Sequence, residues 1–186
     1  MKIVKPPTGF WLETQLTPDM MRYLWSQINK ATINAKNRLV GHITSSLSVP
    51  DTEGIFTPYI LNQCHHQKLT DKTVLSMNMW VNFQRKYEFN PLHKHSGLLS
   101  FVIWMKIPYN FEDEKNSEVV KDLTECKSGC FEFVYCDMLG RSTSHVYRLS
   151  PDLEGTMLIF PAELTHQVYP FYTSDLERVS ISGNIL

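Results

Sequence analysis

The stretch Asn90-Pro91-Leu92-His93-Lys94-His95-Ser96-Gly97, running into the largely apolar segment 98–107, decides how this chain is read. Two histidines two residues apart at the start of a strand point to the same side of it. Neutral imidazoles placed this way form half of a first-row transition-metal site. A third histidine, His166, closes a second strand-and-turn unit, Gly155-Thr-Met-Leu-Ile-Phe160-Pro161-Ala-Glu-Leu-Thr-His166. Further on, Arg178-Val179-Ser180 opens another alternating strand. A guanidinium fork matches a carboxylate in two-point fashion and stays charged when buried. Ser180 lies on the same strand face and can donate to the same carboxylate. Metal ligands followed by a strand-borne Arg and Ser form a layout that could hold a carboxylate ligand beside a bound transition metal. The alternative for the histidines is hydrogen-bonded or exposed side chains without metal, and for Arg178 a surface pair with Glu177 or Asp175. The three histidines at strand ends, with that Arg downstream, favour a metal.

The other histidines are weaker candidates. His65 and His66 are adjacent in a predicted helix and face different directions, His42 is isolated, and His145 sits mid-strand as a pair-former or reserve ligand. Asn82 shares a strand face with Trp80 before the motif and can hydrogen-bond a co-substrate, although a Trp-x-Asn pair also suits core packing. Phe101 and Trp104 read as barrel packing.

The chain of 186 residues is expected to form a single domain, 1–186, with a helical part over 1–72 packed on a β core over 73–186. A hydrophobic content of 42 % and a charged content of 20 % describe a soluble globular protein. The formal charge of -1 gives no electrostatic reason for nucleic-acid or membrane-surface binding, and only a local basic patch would leave nucleic acid open. The apolar patch at 9–12 is too short for a signal-peptide core, and no run approaches membrane-spanning length, so a cytoplasmic protein is expected. Cys64, Cys126, Cys130 and Cys136 do not read as a disulfide framework; reduced thiols are expected over a zinc site built from Cys126, Cys130 and the Cys64-His65-His66 run.

Thr17 as N-cap, Pro18 in the first turn and Asp19 at the positive end of the dipole predict a helix, with Met20, Met21, Leu24, Trp25, Ile28 and Ala31 on one apolar stripe to about residue 35. A shorter helix is expected over 58–68, after a loop at 45–54. Strands are expected at 74–83, 98–107, 130–137, 142–149, 155–160, 166–171 and 177–184, rich in Val, Ile, Phe, Tyr and Trp. Many short strands with turn signals between them predict a barrel or sandwich with helices outside one sheet. The acidic segment 110–128 reads as a solvated insertion or, alternatively, a lid.

With these motifs in hand, residues 79–185 resemble the iron(II)/2-oxoglutarate-dependent oxygenases, nearest to a small bacterial and phage-borne branch. The likeness rests on His93-Lys-His95-Ser-Gly, on Gly155 through Phe160-Pro161 to His166, and on Glu177-Arg178-Val-Ser180. The resemblance implies a double-stranded β-helix (jelly-roll) core, Fe(II) as metal and 2-oxoglutarate as co-substrate. It implies His93 and His166 as iron ligands and Arg178 with Ser180 on the far carboxylate of the keto acid. Hydroxylation of an amino acid, a protein residue or a small metabolite is the expected outcome. The wider family has Asp or Glu where this chain has His95. Either the site is a three-histidine one, His93, His95 and His166, or His95 is the first ligand and Gly97 leaves a position open, as in the halogenases of this superfamily. A cupin-type three-histidine enzyme without 2-oxoglutarate and a non-catalytic jelly-roll module are the rival readings. Sheet edges leave pairing into a homodimer open.

Overall fold

The computed structural model describes residues 11–67, 69 and 76–186. The helix cap works as its residues require. Thr17 Oγ1 accepts from Met20 N at 3.2 Å, Pro18 opens α1 (Pro18–Lys30), and Asp19 lies in the first turn. The helix stops at Lys30, short of the expected residue 35. Ala31 is extended, and the next residues enter a short strand pair, β2 (Ile33–Asn34) with β3 (Ser45–Ser48). The second helix, α2 (Phe56–His66), starts two residues before the expected position; the expected end at 68 lies outside the described residues.

The long strands fall close to their expected places: β4 (Met77–Gln84), β6 (Leu99–Lys106), β7 (Phe131–Cys136), β8 (Ser142–Tyr147), β9 (Thr156–Pro161), β10 (His166–Val168) and β11 (Arg178–Ile185). Residues 74 and 75 of the first expected strand are outside the described residues. Four strands are additions, β1 (Leu12–Gln15), β2, β3 and β5 (Asn90–His93), as is the short helix α3 (Phe111–Lys115). β1, β2 and β3 extend the main sheet, so the first 72 residues are not only a helical layer. The loop expected at 45–54 begins as strand β3.

The strands form two antiparallel sheets, one ordered β1-β9-β6-β11-β4-β3-β2 and the other β5-β10-β7-β8. This is the double-stranded β-helix that the sequence implies. Period-two alternation gives the main sheet two different faces. Met79, Val81, Phe101, Ile103, Ile159 and Ile181 point outward into a core shared with Leu24 and Ile28 of α1 and Phe56 and Ile60 of α2. Burying each such side chain contributes roughly 1.5–3 kcal/mol. The inner face meets the smaller sheet through Val102, Trp104, Leu158, Phe160, Phe131 and Phe133. Phe101 and Trp104 therefore pack on opposite faces, in two separate cores.

Half of the inner face is polar. Arg178, Ser180, Ser182 and Asn184 of β11 lie opposite Gln84, Asn82, Trp80 and Asn78 of β4, and Ser46 and Ser48 of β3 continue the row. With α1 and α2 on the outer face, this polar floor is left to a cavity. No helix among the described residues is long and apolar enough to cross a membrane.

Candidate active site

A cavity of about 580 Å³ opens between the sheets, over that polar floor. Strand pairing builds its metal-ligating corner. His93, the last residue of β5, is the register partner of His166, the first residue of β10. His95 follows β5, and its backbone N–H donates to the Ala162 carbonyl at 2.8 Å, which ties it to the turn before β10. The ring centroids of His93 and His166 are 4.2 Å apart, those of His93 and His95 4.9 Å, and those of His95 and His166 5.0 Å.

The donor chemistry suits a divalent transition metal. One nitrogen from each ring lies within 4.8 Å of the other two, and no other cluster of that kind occurs among the described residues. His93 Nδ1 is 2.7 Å from the Pro91 carbonyl and His166 Nδ1 is 2.9 Å from the Leu164 carbonyl. A carbonyl only accepts, so each Nδ1 carries the proton and each Nε2 is the unprotonated nitrogen, that of His93 with Asn90 Nδ2 3.5 Å away. This is the orientation that outer hydrogen bonds impose on metal-bound histidines. Burial keeps the rings neutral. It lowers the His95 pKa to about 4 and that of His166 to about 3, and neighbouring histidines add to the effect; His93 shifts the same way. Trp80 stands beside His95, centroids 5.8 Å apart. Gly97 does not share this corner. Its φ is +111°, and a Cβ there would come within 2.9 Å of Leu186 and 3.1 Å of the Ile185 carbonyl. The fold thus brings the nitrogens of His93, His95 and His166 together, while Gly97 is not among the residues that line the cavity.

Arg178 lines the cavity away from the surface, only 3 % exposed. It makes no pair with Glu177 or Asp175, which instead meet Arg85 and Lys86. Its bracket is neutral. Nη1 donates to the Tyr109 hydroxyl at 2.6 Å and to the Gly129 carbonyl at 3.1 Å, and Nη2 donates to Gln84 Oε1. The Tyr109 hydroxyl itself donates to the Gly129 carbonyl at 2.6 Å. Burial pushes the Tyr109 pKa up to about 12, so the hydroxyl stays protonated. Among the described residues no carboxylate pairs with this guanidinium. A buried cation without a counter-ion is costly, which is a reason to expect an anion as its ligand.

Ser180 and Asn82 are register partners beside Arg178, and both line the cavity. Asn82 Oδ1 accepts from Ser46 Oγ at 2.7 Å, leaving its amide N–H groups for a ligand. Sequence reasoning missed the bracket of Tyr109, Gly129 and Gln84. It also missed Asn90, which lines the cavity inside the quoted motif, with Nδ2 3.5 Å from His93 Nε2 and a buried Oδ1 that has no partner among the described residues.

The insertion 110–128 is not a lid on this cavity, since none of its residues lines it. It is pinned from behind by Glu114, which is fully buried. That carboxylate accepts from Tyr172 N at 2.9 Å and Thr173 N at 2.8 Å, and also from the hydroxyls of Ser128 and Thr173. Ser128 precedes Gly129, so the insertion supports the Arg178 bracket. The wall on the open side comes from residues between 33 and 43. The His145 ring packs at an angle against Trp11 (centroids 5.0 Å apart) and Tyr147 (4.9 Å), and His42 against Phe89 (4.5 Å), all apart from the site. All four cysteines are free thiols.

A double-stranded β-helix with a histidine cluster at one end of its cavity and a buried arginine at the other defines a metal-dependent enzyme. Residues 78–184 match the family described as "Putative 2OG-Fe(II) oxygenase", and the chain belongs to that family. Its cofactor is Fe(II) and its co-substrate 2-oxoglutarate. No curated protein sequence matches the chain. Among solved structures, a prolyl-4-hydroxylase from Pseudomonas putida is similar, with 14 % identity, a TM-score of 0.60, and coverage of 96 % of this chain and 93 % of that one. The viral collagen prolyl hydroxylase of Paramecium bursaria Chlorella virus-1 is similar at 11 % identity and TM-score 0.51, covering 93 % of each chain. HygX from Streptomyces hygroscopicus, solved with nickel, 2-oxoglutarate and hygromycin B, is similar at 11 % identity and TM-score 0.53, covering 95 % of this chain and 82 % of that one. At these identities the likeness is one of fold.

Proposed function

We propose that this chain hydroxylates a substrate C–H bond, with His93, His95 and His166 holding Fe(II) and Arg178, Ser180 and Asn82 holding 2-oxoglutarate. The observation that carries this reading is the pairing, in one cavity, of three neutral imidazoles with a buried guanidinium that lacks a counter-ion.

Fe(II) and 2-oxoglutarate together supply the oxidising power for C–H hydroxylation, dioxygen being divided between the product and succinate as carbon dioxide is lost. The chain's own residues do the placing. Pro91 and Leu164 carbonyls fix the tautomers of His93 and His166, so that both Nε2 atoms are ready without rearrangement. Tyr109, Gly129 and Gln84 fix the plane of Arg178, whose remaining N–H groups receive the far carboxylate of the keto acid. Ser180 donates to the same carboxylate, and Asn82 offers its amide N–H groups from the next strand. Trp80, Val102, Trp104 and Phe160 exclude water from the wall of the cavity. Held orientation of this kind is a large share of what a protein adds to such chemistry.

The test is iron content together with uncoupled turnover. The parent chain should bind one Fe(II) and form succinate slowly from 2-oxoglutarate under air, while His93→Ala and His166→Ala lose both. Full iron binding by His166→Ala would contradict the ligand assignment. Iron binding with no succinate and no affinity for 2-oxoglutarate would favour the three-histidine enzyme that does not use the keto acid.

A further inference from the structure

We infer that the substrate of this site is a small polar carboxylate, bound with its charged end toward Lys36 and Lys94 and its polar body along the floor beyond Ser180. The inference names the substrate class for the iron and 2-oxoglutarate centre proposed above, and rests on that reading.

The cavity holds more than a five-carbon diacid. Its volume of about 580 Å³ falls well inside the ~300–1,000 Å³ of small-molecule sites. The β11 floor runs from Arg178 to Asn184, a length of about 20 Å at ~3.3 Å per residue. Arg178 and Ser180 occupy the co-substrate end of that floor. Beyond them lie Ser182, Asn184, Asn78 and Ser48, all neutral and all capable of hydrogen bonding. Asn184 Oδ1 already accepts from Ser100 Oγ at 2.9 Å, so its amide N–H groups face outward as donors. A polar body with acceptors, such as a hydroxyl or amide, fits this row. A hydrocarbon would strand it.

The charge of the lining is one-sided. Among the described residues no Asp or Glu lines the cavity, although the chain carries 19 acidic residues against 18 Lys and Arg. The cationic residues among those that line it are Arg178, which is buried, and Lys36 and Lys94, which are exposed. Lys36, on the 3-10 turn Lys36–Arg38, has no side-chain partner among the described residues. Lys94 pairs with Glu163, but both side chains are well exposed, and such pairs are weak enough to be exchanged.

The histidine cluster adds to the imbalance. A metal held by three neutral imidazoles keeps its full double charge, which a carboxylate ligand would otherwise reduce. With Arg178 also inside, the two carboxylates of the co-substrate leave the interior positive. A substrate anion supplies the missing charge, whereas a cationic substrate would be repelled by every charged group of the cavity.

Trp80 and Trp104 stand in the cavity wall and report occupancy by fluorescence without turnover. The experiment titrates N-acetyl-L-amino acids, and in parallel their size-matched carboxamides, into the Zn(II)- and 2-oxoglutarate-loaded protein. The carboxylates should bind about tenfold or more tightly than the amides, and Lys36→Gln with Lys94→Gln should erase the difference while 2-oxoglutarate stays bound. Equal or tighter binding of the amides, tighter binding of the polyamine spermidine, or no binding of any carboxylate would overturn the inference. Failure of 2-oxoglutarate to bind in the loading step would instead overturn the reading of the Arg178 end. The two failures are therefore separable.

Discussion

Tyr109→Phe removes one hydroxyl from behind Arg178 and leaves the ring, which stacks on Phe171 with centroids 4.7 Å apart. That hydroxyl accepts from Arg178 Nη1 and donates to the Gly129 carbonyl, each at 2.6 Å, in a site only 4 % exposed. Hydrogen bonds to charged groups contribute about 1.5–3 kcal/mol each, and the Gly129 carbonyl keeps Arg178 as a second donor. A net loss of about 2 kcal/mol in stability follows, a fall in Tm of about 4–8 °C for a domain of this size. The more telling effect is on the co-substrate. Without the hydroxyl, Arg178 can turn about its remaining contacts, and affinity for 2-oxoglutarate should fall about tenfold, equivalent to ~1.4 kcal/mol. The assay is calorimetric titration of the Zn(II)-loaded protein with 2-oxoglutarate and with 2-oxopentanoate, which chelates metal but lacks the far carboxylate. The parent should prefer the diacid strongly, and the variant should lose much of that preference while binding 2-oxopentanoate as before. Equal weakening of both acids would mean general damage to the cavity, and unchanged binding of both would refute the bracket.

Gly129→Ala should destabilise by several kcal/mol, because φ is +68° and the new Cβ would lie 2.5 Å from the Tyr109 ring; chemical denaturation reads this directly. Glu114→Gln should cost about 2–4 kcal/mol, since the amide nitrogen would face donors that now share a buried carboxylate, and the loss should appear in Tm. The metal-free protein should lose stability on acidification. His95 and His166 are held neutral with pKa values of about 4 and 3, below the ordinary 6.5, so the unfolded chain takes up protons first as pH falls below about 6.5. Their stabilisation is full above that value and is lost toward pH 4 and below. Unfolding free energies from urea titrations at pH 7 and pH 5 should differ by about 2–4 kcal/mol for the cluster.

The sequence carried the chemistry better than the frame around it. His93, His95 and His166 were legible because strand ends and period two place them together whatever the detailed register. The long hydrophobic strands were legible from β-branched and aromatic residues. Strand β3 was not, because Ser46 and Ser48 face a polar cavity and the strand therefore lacks apolar alternation. Strand β5 hid behind Pro91 and its length of four residues. The end of α1 was overrun because apolar spacing continues past Lys30, whereas Ile33 is drawn into pairing with Ser48. The bracket on Arg178 joins residues 49, 69 and 94 positions away, a closure that no local pattern announces. Its importance comes from a tertiary fact, the burial of an unpaired cation.

One cavity is proposed to hold Fe(II) on the histidine cluster and 2-oxoglutarate between that metal and Arg178. Anaerobic titration of Fe(II) and 2-oxoglutarate, followed by visible absorption, tests it most directly. A weak metal-to-ligand charge-transfer band should develop in the parent, and in Arg178→Ala it should require much higher 2-oxoglutarate. Iron binding without a band, or an equal band at equal concentration in the variant, would contradict the account.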